Sequence, residues 1–172
     1  MEYDIDDEEK IVSSSIGPDK LKKWFAAHMK NKKSRPTSMM FMKLFKYISG
    51  GNQQKQEMPM TVPVLSEIFP VSEFLLKKEM CFYIPKKFQE NTPDPIDPDV
   101  WVETAPEVTV YVKQFGGYVM QDIAWIQHAN QFKKELKAKN LSFEDKFYIT
   151  ASYNEPWVFN NRKNEVMFQK KP

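Results

Sequence analysis

A chain of 172 residues with 41% hydrophobic and 28% charged side chains can bury one substantial core but not two, so a single domain over 1–172 is expected. Its 25 Lys and Arg against 23 Asp and Glu leave a net charge of +2, too small a basic excess for a phosphate-tracking protein, and nucleic acid is set aside as a partner. One cysteine, Cys81, excludes an intrachain disulfide and a cysteine metal cluster. The acidic start (Glu2, Asp4, Asp6, Asp7, Glu8, Glu9) is the opposite of a secretory leader, and no apolar run approaches the ~20 residues needed to span a bilayer. A soluble, cytoplasmic monomer is the expectation.

Lys10 to Ile16 reads as a first strand, ended by Gly17-Pro18. Leu21, Trp24, Phe25, His28 and Met29 fall at helical spacing behind Asp19, which predicts a lysine-rich amphipathic helix over 19–33. Thr37 or Ser38 caps a second helix in which Phe41, Leu44, Phe45 and Ile48 share a face and Gly50-Gly51 is the stop. Strands follow at Met60–Glu67 and Glu79–Ile84, bounded by prolines. Thr92–Asp99, with three prolines and three aspartates, reads as a linker between halves.

Beyond the linker, Val108, Val110 and Val112 alternate with Thr109, Tyr111 and Lys113 in a strand that ends at the Gly116-Gly117 turn. A helix is predicted over Gln121–Lys139 from Trp125, Ala129, Phe132 and Leu136, then strands at Phe147–Tyr153 and Glu165–Lys170. Both halves, about 3–91 and 100–172, thus read β-α-β-β. The pattern is α+β.

Catalytic machinery is hard to find in these residues. No nucleophile elbow or phosphate loop is present, and Cys81 reads as a packed small hydrophobe. His28 and His128 lie on separate predicted helices without a second ligand one turn away, so no metal site is assigned. No catalytic residue is assigned either.

Four stretches carry a resemblance: Met60-Thr61-Val62-Pro63-Val64, Phe82-Tyr83-Ile84-Pro85, Val108 to Tyr118 (VTVYVKQFGGY) and Ser152 to Val166 (SYNEPWVFNNRKNEV). In this order and spacing the chain resembles the SOUL/haem-binding protein family. The resemblance implies a distorted antiparallel β-barrel of eight or nine strands flanked by two long helices, with the 19–33 helix as an extra element. It also implies a non-covalently held haem or other porphyrin between the first family helix and the last inter-strand loop. The residues of this chain at those positions are Met42, Phe45 and Lys46 on the helix and Trp157, Phe159 and Arg162 on the loop: apolar surface for the macrocycle and cations for its propionates.

The same aromatics also read as plain core and loop anchors. Some family members place a histidine just after an opening Tyr-x-Ile, whereas here Tyr3-Asp4-Ile5 runs into Asp6 and Asp7, so axial iron ligation is expected to be weak or absent. The family's Asn-Glu-Val-Trp reads Asn164-Glu165-Val166-Met167. A tetrapyrrole carrier or buffer is the first functional expectation. The alternative is a non-catalytic interaction module with a vestigial pocket, meeting a protein partner or anionic membrane through the basic helix 19–33.

Overall fold

The computed structural model describes residues 12–16, 24–27, 37–72, 75–104, 108–119, 122–155 and 157–172, with 12–16, 24–27 and 75 described by backbone alone. In chain order they form β1 (Val12–Ile16), β2 (Trp24–Ala27), α1 (Thr37–Ile48), β3 (Val64–Ser72), β4 (Leu75–Tyr83), a short 3-10 turn (Lys86–Phe88), β5 (Val100–Glu103), β6 (Val108–Phe115), α2 (Asp122–Ala138), β7 (Tyr148–Ser152) and β8 (Asn164–Gln169). The eight strands make one antiparallel sheet in the order β1-β6-β8-β7-β3-β4-β2-β5.

That order is symmetric about the junction of β7 with β3. On one side β6-α2-β7-β8 places its first strand beside its last; on the other β2-α1-β3-β4 does the same. β1 and β5 are added outside β6 and β2. The opening strand of the first unit is therefore β2 and not the Lys10–Ile16 segment.

Two expectations are not met. Among the described residues the sheet does not close: its ladder ends at β1 and β5, strands of five and four residues, where a barrel was expected. Short edge strands limit the unpaired backbone that closure would otherwise have to remove. The lysine-rich helix over 19–33 is not formed at 24–27, which is strand β2, paired with β4 on one side and β5 on the other. A four-residue run such as Trp24-Phe25-Ala26-Ala27 satisfies helical and strand periodicity alike, and two neighbouring strands with open backbone groups decide it. Residues 19–23 and 28–33 lie outside the described residues.

The 92–99 segment, expected as a linker between the halves, is strapped to α1. Lys43 of α1 forms ion pairs with Asp97 and Asp99, and Gln53 donates from its amide to the Asp94 carbonyl at 2.9 Å. Burial alone would lower the Lys43 pKa, but hydrogen bonds and charges from Asp99 and Asp97 hold it above the usual lysine value. The Tyr47 hydroxyl donates to the Pro93 carbonyl.

Side chains alternate between the two sheet faces. Met80 and Phe82 of β4 pack under α1 with Met40, Leu44, Tyr47 and Ile48, and Val64 at the start of β3 joins this cluster. Val166 and Phe168 of β8 pack under α2 with Ala129, Phe132 and Leu136. The intervening residues point the other way, where Leu65, Val110, Ile149, Ala151 and Met167 form a third cluster. Among the described residues no helix is long and apolar enough to cross a membrane.

Phe132 is fully buried, with its ring 5.9 Å from that of Phe168. Phe132→Ala is expected to lower unfolding stability by about 3–5 kcal/mol in urea titration, because it empties the centre of the α2 interface.

Candidate functional site

α1 carries its buried residues at Met40, Leu44, Tyr47 and Ile48, which turns Met39, Met42 and Phe45 outward. Met42 is 58% and Phe45 40% exposed. The Phe45 ring is not loose: it stacks on Phe41 at 6.0 Å, and Phe41 packs on buried Phe82 at 5.3 Å. An aromatic column thus runs from the sheet to the surface. Lys46, the next residue of the same helix, is also exposed.

The end of α1 is fixed by a tight close. Gly51 donates to the Lys46 carbonyl at 2.9 Å, and a Cβ on Gly51 would lie 2.5 Å from that oxygen. Asn52, fully buried, donates to the carbonyls of Tyr47 and Gln56 and accepts from the Gln56 amide.

The second group sits on the loop between β7 and β8. Trp157 is 68% and Phe159 66% exposed, the two most exposed large apolar side chains among the described residues. Arg162 is enclosed by this loop: it donates to the carbonyls of Asn154 (3.3 Å), Glu155 (2.9 Å) and Val158. Its guanidinium also lies 4.7 Å above the Tyr118 ring, and that ring packs on Phe159 at 5.1 Å. Asn164 donates to the Gly117 carbonyl at 2.9 Å, so the Gly116-Gly117 turn and this loop hold one another. Gly117 has φ +93°, a conformation that favours glycine. Lys163, adjacent, pairs with Glu165 at 3.1 Å.

The six expected site residues thus fall into two surface groups. Met42, Phe45 and Lys46 are on α1; Trp157, Phe159 and Arg162 are on the loop. The route between them is short in the sheet, because Val64, packed beneath α1, is the register partner of Ser152, the last residue of β7 before the loop. Tyr118 is an addition that sequence reasoning missed. Its signal was an aromatic directly after a glycine pair, where a solvated turn would need none.

A small, partly open cavity lies elsewhere. A cavity of about 30 Å³ sits under the first residues of both helices, Thr37 and Asp122, with Ser66 and Thr150 paired across its floor and buried Lys78 at its side. Lys78 pairs with Asp122. This volume suits a water or two and is far too small for a macrocycle. None of the six expected residues lines it.

A family model described as SOUL heme-binding protein matches residues 20–169. The chain belongs to this family. Heme-binding protein 1 of Mus musculus is 35% identical over 130 residues, which covers 74% of this chain and 68% of the relative. Heme-binding protein 2 of Homo sapiens is 34% identical over 128 residues, 73% of this chain and 62% of the relative. Among solved structures, the C-terminal domain of EcmrR matches with a TM-score of 0.62 at 11% identity, covering 95% of this chain and 98% of that one. A hydrolase from Listeria innocua matches at 0.57 and 11%, covering 96% and 94%. At such identity the likeness is one of fold.

Two residues weighed for chemistry in this SOUL-family chain are committed to packing. Burial pushes the Cys81 thiol well above its usual pKa, reinforced by the charges of Glu67, Glu103 and Glu79. His128 stacks on Phe115 with ring centres 3.6 Å apart. Burial, and then the charge of Lys113, lowers the His128 pKa. A depressed pKa means that the unfolded chain takes up this proton first, so the stabilisation is complete above pH ~6.5 and is lost as pH falls through that value toward the folded pKa. His128→Phe, which keeps the stack, is expected to flatten the fall in urea midpoint between pH 7.5 and 5.5; an unchanged pH slope would disprove the assignment.

Proposed function

We propose that this chain is a non-catalytic tetrapyrrole-binding protein, a reversible carrier or buffer of haem or another porphyrin, working as a monomer in the cytoplasm. The observation that carries the reading is the pair of exposed aromatic platforms, Phe45 with Met42 on α1 and Trp157 with Phe159 on the loop, each braced from behind. A soluble protein gains nothing from presenting such surface without a partner to cover it. A flat, apolar ring with acidic substituents fits two aromatic faces with exposed Lys46 beside one of them as a cation. Family membership and the names of the relatives support the same ligand class.

Contact is expected through the ring face and the carboxylates, with little or no axial ligation, since the His128 ring is stacked on Phe115. The alternative, docking through a basic helix over 19–33, has no helix to support it at 24–27, which is a strand, while 19–23 and 28–33 lie outside the described residues.

Haemin titration tests the reading. A Soret change that saturates near one equivalent, with tryptophan quenching, is expected; a linear rise without saturation overturns it. Phe45→Ala and Trp157→Ala should each weaken binding by about tenfold while leaving the thermal midpoint nearly unchanged, because both rings are exposed.

A further inference from the structure

We infer that Arg162 is a positioning residue for the ligand site and not a carboxylate partner, and that the loop half of the site therefore reads the face of the ligand while α1 reads its acidic edge. This rests on the tetrapyrrole reading above. Arg162 has the charge and place to meet a propionate, but three of its five N–H donors are already spent on the backbone of its own loop. One terminal nitrogen donates to the carbonyls of Glu155 and Val158 and the other to that of Asn154, so a single side chain closes the 154–162 loop on itself. Its Nε is buried without a hydrogen-bond partner, which sets this part of the guanidinium inside the loop rather than over its rim.

The plane of that guanidinium is covered on one side by Tyr118, and Tyr118 in turn supports Phe159. Arg162, Tyr118 and Phe159 form a stack whose outer member is the exposed ring. Planarity and the five-donor fork of arginine are what this arrangement uses; lysine offers neither. The neighbouring cation, Lys163, is held by Glu165 and lies 4.4 Å from the centre of the Tyr153 ring. Lys43, the other lysine of α1, is held by Asp97 and Asp99.

Among the described residues of α1 and the loop, Lys46 is thus the cation that the site offers to an acid. A ligand whose carboxylates lie along one edge can meet Lys46 and lay its apolar remainder on the loop. A tetrapyrrole with carboxylates around its whole rim would press uncompensated charge against Trp157 and Phe159, at a cost that the ring contact does not offset. The specificity expected is for diacid or esterified macrocycles over those carboxylated all round.

Titrations of the intact chain with haemin, haemin dimethyl ester and uroporphyrin test this, together with the variants Arg162→Lys, Arg162→Gln, Tyr118→Leu and Lys46→Gln. Arg162→Lys should weaken haemin and its diester alike, by about tenfold, and as much as Arg162→Gln does. Tyr118→Leu should act in the same direction. Lys46→Gln should weaken haemin several-fold and leave the diester unchanged, and uroporphyrin should bind at least tenfold more weakly than haemin. If Arg162→Lys keeps full haemin affinity while Arg162→Gln loses it for the free acid alone, Arg162 is a carboxylate partner and the inference is wrong.

A ligand-free readout separates this from failure of the tetrapyrrole reading. Limited proteolysis within 154–162 should accelerate in Arg162→Lys with a thermal midpoint close to that of the parent chain. Equal cleavage of the two would overturn the clamp whether or not any porphyrin binds.

Discussion

The pairing of β3 with β7 is the constraint from which the rest of the structure follows. Each strand-helix-strand-strand unit closes most of its backbone hydrogen bonds within itself, yet each leaves two edge strands; β6 and β2 are covered by β1 and β5, and β3 of the first unit and β7 of the second meet one another. Five register pairs, from Val64–Ser152 to Ile68–Tyr148, join them and turn two three-stranded ladders into one sheet. That seam brings the two helices onto the same face, and it puts the loop after β7 within one strand of the core beneath α1. The proposed site, shared between two units distant in sequence, depends on this meeting of their open strands.

The two halves of that site are built by different means. On α1, a residue is exposed because the helix period carries it away from the core, and it is held because its ring continues a column through Phe41 to Phe82. On the loop no period is available, and an arginine substitutes for the missing secondary structure by accepting the role of a small scaffold for three carbonyls. In both places the contact surface is exposed while its support is buried. This separation lets the surface be apolar without making the fold depend on it.

Much of this was legible in the chain. The buried stripe of α2 and the valine alternation of β6 are long periodic signals, and both elements lie within a residue or two of where periodicity puts them. Trp24–Ala27 was misread because four residues do not distinguish a period of two from one of 3.6, and only the neighbouring strands select between them. Val100–Glu103 went unseen for the same reason, following a proline-rich stretch that suggested no structure at all. Closure of the sheet cannot be read locally, since it depends on which edges find partners. At the site, the exposure of Trp157 and Phe159 agrees with their place among polar loop residues. The commitments of Arg162 did not show, because a sequence displays its charge and conceals the carbonyls that occupy it.

The tight close after α1 has a bearing on how quickly a ligand can come and go. The carbonyl of Lys46 is held by the Gly51 amide, and buried Asn52 fixes the turn that follows, so the backbone under Lys46 and Phe45 is set before anything arrives. Little ordering remains to be done on contact, and little disorder is released on departure. Rigid open platforms of this kind favour rapid hand-over to a second acceptor, because no gate has to open first. Residence time would then be governed by how much ring area is covered rather than by a conformational step.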